Sequence, residues 1–162
     1  MAYMNVNWNA TTYGTGFPAN VIAQQYGQHI VNVKLASDTP NGALVAADVS
    51  KAWASFDVFD EAAVTTFEGI IEGQDNNGDW IICVTNPGDA LFVYQKPLTP
   101  YESPKELTLE KHFYNKAGDV VRCYALVKFD RITVSAANLG GADPAAGKQI
   151  TGVASKKMTV KA

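Results

Sequence analysis

The segment from residue 112 to residue 138 constrains the fold more strongly than any other part of this chain. Turn residues at 115–119 and 128–131 divide it, and between them apolar and polar residues alternate. One face would carry Val121, Cys123, Ala125 and Val127, and the other Arg122, Tyr124 and Lys128. A period of two indicates a β-strand, because successive side chains leave a strand on opposite sides. Gly118 can adopt the positive φ that a hairpin turn often needs. The segment predicts three strands joined by two tight turns.

Short apolar runs separated by Gly, Pro and Asn continue through the rest of the chain. Strands are predicted at residues 28–36, 43–47, 65–72, 79–85 and 90–95, with a hairpin or pair of short strands at 149–162. In that last pair, the side chains predicted to point inward are Ile150, Val153, Met158 and Val160. The pattern predicts an all-β fold: a small barrel or sandwich of short antiparallel strands, with an extended N-terminal arm and at most one or two short helices.

The connecting segments are predicted with less regular structure. Residues 48–54 are the best place for a short helical turn, whereas residues 55–64 fit either a strand or an irregular crossing. Three prolines make 96–106 a surface loop, because proline cannot donate to a strand ladder. The sequence LGGADPAAGK at 139–148 predicts a flexible loop.

Charge and length limit the function classes. The 162 residues suit one compact domain that can bury a core without disulfides. Charged residues make up 18% of the chain, below the usual quarter, and a charge-poor surface is typical of a protein that meets another protein. The net charge of -3 argues against a nucleic-acid partner, since affinity for a duplex comes largely from neutralising phosphates.

The first 27 residues contain no charged side chain, and their aromatic residues are spaced along a polar background. We divide the chain into an N-terminal arm, 1–27, and a β domain, 28–162. The arm is predicted to dock on a neighbouring subunit through Tyr3, Trp8, Tyr13 and Phe17. The alternative is an ordinary N-terminal strand and loop that packs on its own domain.

Cys83 and Cys123 both fall within predicted strands. A disulfide between them is geometrically conceivable, but two buried, reduced thiols are the simpler interpretation. Residues 1–20 have neither the basic start nor the apolar run of a secretory signal. No window approaches the roughly 18 apolar residues of a membrane span. We expect a soluble protein, synthesised in the cytoplasm, without a membrane partner.

Several residues were considered for chemistry, and none forms a convincing constellation. Residues 75–79, DNNGD, match the start of a calcium loop, but Trp80 replaces the required Gly, and a turn explains the segment better. His29 and His112 have no metal ligand at suitable spacing. Glu68 and Glu72 could pair on one strand face, yet exposed carboxylates there are usually only solvated. We predict no catalytic residue, no metal site and no cofactor.

Three lysines near the C-terminus make a small basic end on an acidic protein: Lys156, Lys157 and Lys161. They could complement an acidic partner surface. The simpler interpretation is that exposed lysines protect a terminal strand against edge-to-edge aggregation.

Residues 113–135, FYNKAGDVVRCYALVKFDRITVS, with GGADPAAGKQI at 140–150, resemble a family of auxiliary head proteins of tailed bacteriophages. These decoration or cement proteins are encoded near the major capsid protein. The resemblance covers residues 28–162 and leaves out the arm. One departure is Phe129, which stands where we expect Gly; a different turn type, or a Phe129 that is buried or used in a contact, would account for it.

The resemblance implies a structural virion protein rather than an enzyme. It would bind the outer surface of the capsid, with the major capsid protein and neighbouring copies of itself as partners, and stabilise the lattice. One alternative is a tail or fibre component whose aromatic residues contact the host surface or its glycans. Another is a small hydrolase using Glu68, Glu72 or His112, which would need a pocket where such groups converge.

Overall fold

The computed structural model describes residues 5–6, 12–26, 29–50, 58–95 and 110–162, and the fold is all-β as predicted. One α-helix occurs among these residues, α1 (Ile22–Tyr26), with 3-10 turns at Glu110–His112 and Ala136–Asn138. The strands of the first half are β1 (Asn5–Val6), β2 (Gly16–Asn20), β3 (Ile30–Lys34), β4 (Leu44–Asp48), β5 (Val58–Ala62), β6 (Glu68–Gln74) and β7 (Trp80–Asn86). Those of the second half are β8 (Leu91–Val93), β9 (Phe113–Tyr114), β10 (Val120–Ala125), β11 (Arg131–Val134), β12 (Leu139–Gly141), β13 (Gln149–Ala154) and β14 (Lys157–Val160).

Five strands close into a barrel in the order β10-β3-β5-β4-β8. Its apolar cluster consists of Val33, Leu35, Val45, Leu91, Val93, Val121 and Cys123. The prediction that Val121 and Cys123 lie on one buried face is therefore confirmed. Tyr124, on the opposite face of β10, is also buried, because that face packs into a second apolar cluster.

Two pairings differ from the predicted antiparallel arrangement. β5 runs parallel to β3 and antiparallel to β4, so it lies between two strands that precede it in the chain. Parallel neighbours need a long connection, and β4 with its flanking loops supplies it here. β12 also runs parallel to β14.

The second layer is a seven-stranded sheet in the order β12-β14-β13-β6-β7-β11-β2. Its inward side chains meet the barrel strands in the main core, whose largest fully buried members include Phe67, Phe92, Leu44, Ile71, Ile82, Ile132, Ile150 and Met158. Leu44 and Phe92 come from β4 and β8, whose neighbouring residues belong to the barrel cluster. Strands covered on both faces have continuous apolar runs, which explains the sequence LFV of β8.

The described part of the predicted arm lies against the body. β2 pairs antiparallel with β11, and the side chains of Val21 and Ala23 are fully buried in the main core. The N–H of Thr15 donates to Ser135 Oγ at 2.9 Å, and Asn138 Nδ2 donates to the carbonyl oxygen of Thr15 at 2.9 Å. At the backbone of β1, residues 5–6 pair with β9. Residues 12–24 therefore belong to the fold, and docking of residues 1–27 on another chain stays a prediction.

The loop predictions had mixed outcomes. The flexible loop predicted at 139–148 is wrong for its first residues, because Leu139 packs in the main core and Leu139–Gly141 forms β12. The ambiguous segment 55–64 contributes β5. The surface loop predicted at 96–106 lies outside the described residues, as does most of the helical turn at 48–54.

Candidate interaction surface

Of the two glutamates of β6, Glu72 is paired with an arginine rather than with Glu68. Glu72 accepts hydrogen bonds from Arg131 Nε at 2.8 Å and from Arg131 Nη2 at 3.0 Å. The hydrogen bond from Arg131 lowers the pKa of Glu72, so this carboxylate stays ionised. A bidentate pair of this geometry links β6 to the end of β11 across β7.

Residues 75–79, which match the start of a calcium-binding loop, form a hairpin turn. Asp75 Oδ1 accepts the N–H groups of Asn77 at 2.8 Å and of Asp79 at 2.9 Å, and Gly78 has a φ of 86°. The pKa of Asp79 is raised by burial and by the charge of Asp75. Within the described part of the chain, no group of three or more His, Cys, Asp or Glu side chains could hold a metal ion.

Lys156, one of the three lysines predicted to form a basic C-terminal end, makes a largely buried ion pair within its own domain. Ser155 and Lys156 form the β13–β14 turn with φ values of 49° and 66°. Lys156 Nζ contacts both carboxylate oxygens of Glu61, at 2.8 and 2.9 Å, and donates to Thr39 Oγ1. The side chains of Lys156 and Glu61 are only 19% and 10% exposed. The interaction joins the hairpin to the barrel and leaves this lysine little surface to offer a partner.

Both cysteines are free thiols. Cys123 is buried in the barrel, and burial raises the pKa of its thiol to about 12. The interpretation of two buried, reduced thiols therefore holds for Cys123, whereas Cys83 is only half-buried.

The turn between β10 and β11 is built around one buried carboxylate. Asp130 is 2% exposed; its Oδ2 accepts the N–H of Val127 at 2.7 Å, and its Oδ1 accepts the N–H of Ile22 at 3.2 Å. The N–H of Asp130 donates to the carbonyl oxygen of Val127 at 3.0 Å, which closes a four-residue turn. The N–H of Phe129 donates to the carbonyl oxygen of Val84 at 2.8 Å. These bonds fix the turn and the start of α1 together.

Phe129 occupies the third position of this turn with a φ of 75°. A type II turn requires positive φ at that position, which is why Gly is the usual residue there. For a residue with a side chain, left-handed φ costs about 1–2 kcal/mol. Phe129 as a residue is nevertheless 68% exposed, and the contact described for its ring is Lys128 Nζ at 5.2 Å from the ring centroid. The chain therefore places a large apolar ring in water at a strained position.

Two further partly exposed apolar residues are bound to the same turn through their backbone. Val127 is 37% exposed and Ile22 is 43% exposed, and the backbone N–H of each donates to the carboxylate of Asp130. We call the group Ile22, Val127 and Phe129 the Phe129 surface. Exposed apolar side chains on a hydrogen-bonded turn are groups that a protein partner can cover.

The four arm residues predicted to bind a partner have different positions. Tyr13 stacks on Tyr114 with ring centroids 4.7 Å apart, so it anchors the chain to its own domain. Phe17 lies on the edge strand β2, is 36% exposed, and has its ring 5.8 Å from that of Tyr94. Tyr3 and Trp8 lie outside the described residues.

A shallow hollow of about 320 Å³ lies beside Phe17 on the outer wall of the barrel. Its lining consists of Asn32, Tyr94, Gln95, Val120, Arg122 and Tyr124. Arg122 lies directly opposite Asn32 across the β10–β3 ladder. The hollow thus combines aromatic surface with guanidinium and amide groups that can hydrogen-bond a ligand.

Sequence reasoning singled out Phe129 through its departure from the family pattern. It missed Ile22 and Val127, because neither stands out in sequence and Ile22 is 108 positions from Asp130, which holds it. The sequence signal for this arrangement is a helix that starts at Ile22 together with a distant turn that contains Asp130.

Comparisons with protein-family models, with curated proteins and with solved structures gave no match to this chain. No helix in the described ranges is long and apolar enough to cross a membrane.

Proposed function

We propose that this protein is an auxiliary structural component of a tailed-bacteriophage head. It binds the outer surface of the capsid and stabilises the lattice of the major capsid protein, without catalysing a reaction. The family resemblance of residues 113–135 and 140–150 supports this proposal, together with an all-β body that carries an exposed apolar surface. A protein that binds the assembled lattice but not free subunits stabilises the lattice by mass action.

The observation that carries the proposal is the exposed ring of Phe129 at a positive φ. Folding alone favours Gly at this position, because Gly adopts positive φ without steric cost. A phenylalanine there adds little to the core of its own domain but offers a ring that a partner can cover. The Phe129 surface is the part of the described chain that we assign to the capsid contact.

The size of the contact can be worked from the exposed ring. A phenylalanine side chain presents roughly 200 Å² of surface, of which 68% remains exposed here. Covering most of that area at about 25 cal/mol per Å² contributes roughly 2–3 kcal/mol. This is the range of an interface hot spot and corresponds to a change of at least tenfold in Kd.

Binding to purified shells that lack the protein tests the proposal. We expect Phe129→Gly to reduce binding at least about tenfold while leaving the fold intact, because Gly suits the turn. Val49→Ser is the matched control, since Val49 is an equally apolar surface residue, 74% exposed, outside the Phe129 surface. Equal affinities for the wild type and Phe129→Gly would contradict the assignment of the surface. Failure of the wild-type protein to bind the shells would contradict the proposed function itself.

A separate variant tests the arm. Deleting residues 1–11 removes Tyr3, Trp8 and the two-residue strand β1, which pairs with β9, but spares β2, which belongs to the seven-stranded sheet. If the aromatic arm docks on a neighbour, we expect weaker shell binding, with thermal stability lowered only by the loss of the short β1–β9 pairing. Unchanged binding would restrict the contact to the body of the protein.

A second candidate function follows from the hollow beside Tyr94. Aromatic surface next to Arg122 and Asn32 suits a saccharide, whose hydroxyl groups need donors and acceptors and whose C–H faces pack on rings. A tail or fibre component that contacts host glycans would use such a site. Binding on a glycan array that Arg122→Ala abolishes and Phe129→Gly leaves unchanged would favour this function over the first.

A further inference from the structure

The chain contains two Asn-Gly dipeptides, Asn41–Gly42 and Asn77–Gly78, and they lie in opposite environments. Asn-Gly is the dipeptide most open to deamidation without an enzyme. The backbone nitrogen of the glycine attacks the side-chain amide carbon of the asparagine, and glycine has no side chain to hinder that approach. The reaction therefore depends on access to both groups.

Asn77 has the access that this reaction needs. Asn76, Asn77 and Gly78 are all exposed in the turn between β6 and β7. A Cβ placed on Gly78 would find no atom within 4 Å, so the space beside the Gly78 α-carbon is open. One turn hydrogen bond of 3.1 Å, from the N–H of Gly78 to the carbonyl oxygen of Asp75, is the restraint on that nitrogen.

Asn41 is held on every side. It is 4% exposed; its Nδ2 donates to the carbonyl oxygen of Gln95 at 2.9 Å, and its Oδ1 accepts the N–H of Gln95 at 3.1 Å. Asn115 Nδ2 donates to the same Oδ1 at 3.3 Å. The N–H of Gly42 donates to the carbonyl oxygen of Val93 at 2.8 Å. These bonds must open before the side-chain amide of Asn41 can meet the nitrogen of Gly42.

We propose that Asn77 is a site of spontaneous deamidation and that Asn41 is protected from it by the fold. The Gly78 nitrogen forms a bond to Asn77 Cγ, loses its proton, and the side-chain nitrogen departs as ammonia. The resulting five-membered succinimide then takes up one water molecule. Opening at one carbonyl gives aspartate, and opening at the other gives isoaspartate.

Either product changes the turn. A new carboxylate makes the net charge of -3 one unit more negative and places that charge beside Asp75 and Asp79. Burial and the charge of Asp75 already raise the pKa of Asp79, and another anion nearby acts in the same direction. Isoaspartate also adds one backbone carbon to the loop, which alters the spacing that the β6–β7 hairpin turn requires. The charge and the shape of this exposed turn therefore change as the protein ages.

Three asparagines in one chain give the test its internal controls. Asn77 is exposed and precedes Gly, Asn76 is exposed and precedes Asn, and Asn41 is buried and precedes Gly. Folded full-length protein is incubated at physiological temperature and mildly alkaline pH. Peptide fragmentation in a mass spectrometer then follows each site by the replacement of its amide with an acid, and isoaspartate is separated from aspartate by chromatography.

We expect deamidation at Asn77 and a rate at Asn41 at least about a hundredfold lower, because several ordinary hydrogen bonds must open first. In concentrated urea, Asn41 should react as fast as Asn77, while Asn76 stays slow in both conditions. Asn77 reacting no faster than Asn76 in the folded protein would overturn the proposal, as would Asn41 matching Asn77 without denaturant. Asn77→Ser removes the reactive amide and should abolish the age-dependent acidic form on isoelectric focusing.

Discussion

Phe129 provides the sharpest test of the structure. At its φ of 75°, Gly should stabilise the protein more than Ala does, which is the reverse of the usual order. In a strand, Ala is more stabilising than Gly by about 0.5–1 kcal/mol, since Gly loses more conformational freedom on folding. At positive φ the Cβ of Ala costs about 1–2 kcal/mol, whereas Gly has no such cost. Subtracting the entropic term leaves Phe129→Gly more stable than Phe129→Ala by about 0.5–1 kcal/mol.

The two variants at position 129 differ from each other only in one Cβ. Both lack the ring, so the contact with Lys128 at 5.2 Å and any partial burial of the ring are lost equally. The control position is Val120, a residue of β10 that is 48% exposed and has no positive φ. There, the Ala variant should be more stable than the Gly variant by about 0.5–1 kcal/mol.

Urea unfolding at equilibrium measures all four variants, with the free energy extrapolated to water. The difference in unfolding free energy between the Ala and Gly variants should have opposite signs at positions 129 and 120. The two differences should be about 1–2 kcal/mol apart. If Phe129→Ala proved as stable as Phe129→Gly or more stable, the left-handed turn would be wrong. The assignment of Phe129 to a partner contact would then be contradicted as well.

Three further predictions concern ionisable groups. Lys156→Met should destabilise the protein by roughly 3 kcal/mol in urea unfolding, because it leaves Glu61 nearly buried without its counter-charge, and Glu61→Gln added to it should restore most of the loss. The pKa of Glu72 is lowered by Arg131, so its contribution to stability is present above its unfolded pKa and disappears as pH falls through the folded value. NMR titration should place the Glu72 carboxyl below its ordinary pKa, and Arg131→Gln should bring it back. Cys123, whose pKa is raised to about 12 by burial, should resist thiol reagents at mildly alkaline pH until the protein is unfolded; rapid labelling of the folded protein at this site would contradict its burial.

Local patterns predicted the middle of the fold well. The alternation in β10, the turn at residues 115–119 and the inward side chains Ile150, Met158 and Val160 all follow from rules that act within a few residues. The strands on either side of that turn, β9 and β10, nevertheless pair with other strands and not with each other. The order of strands does not, because it depends on contacts between distant segments. β5 pairs with β3 and β4 through backbone bonds that its own composition does not encode.

The N-terminal region contains a strand that its composition alone does not predict. The strand β2 reads GFPAN, and Pro18 argues against a central strand. At the edge of a sheet, however, proline is tolerated and limits further pairing, which fits the position of β2 at the end of the seven-stranded sheet. The absence of charge in residues 1–27 thus reflects burial and pairing for residues 16–24, a possibility that composition alone could not separate from docking on a partner.

The pairing of β2 with β11 also governs how the molecule can be made. Thr15 and Ser135, which flank this pair, are 120 positions apart, so ribosomes must complete most of the chain before the first long strand finds its neighbour. Closing so large a loop favours slow folding, because its entropic cost precedes the contacts that compensate for it. A polypeptide that stops before residue 131 would leave Val21 and Ala23 without the strand beside them. Premature termination should therefore produce material that aggregates or is degraded rather than a shortened but working protein.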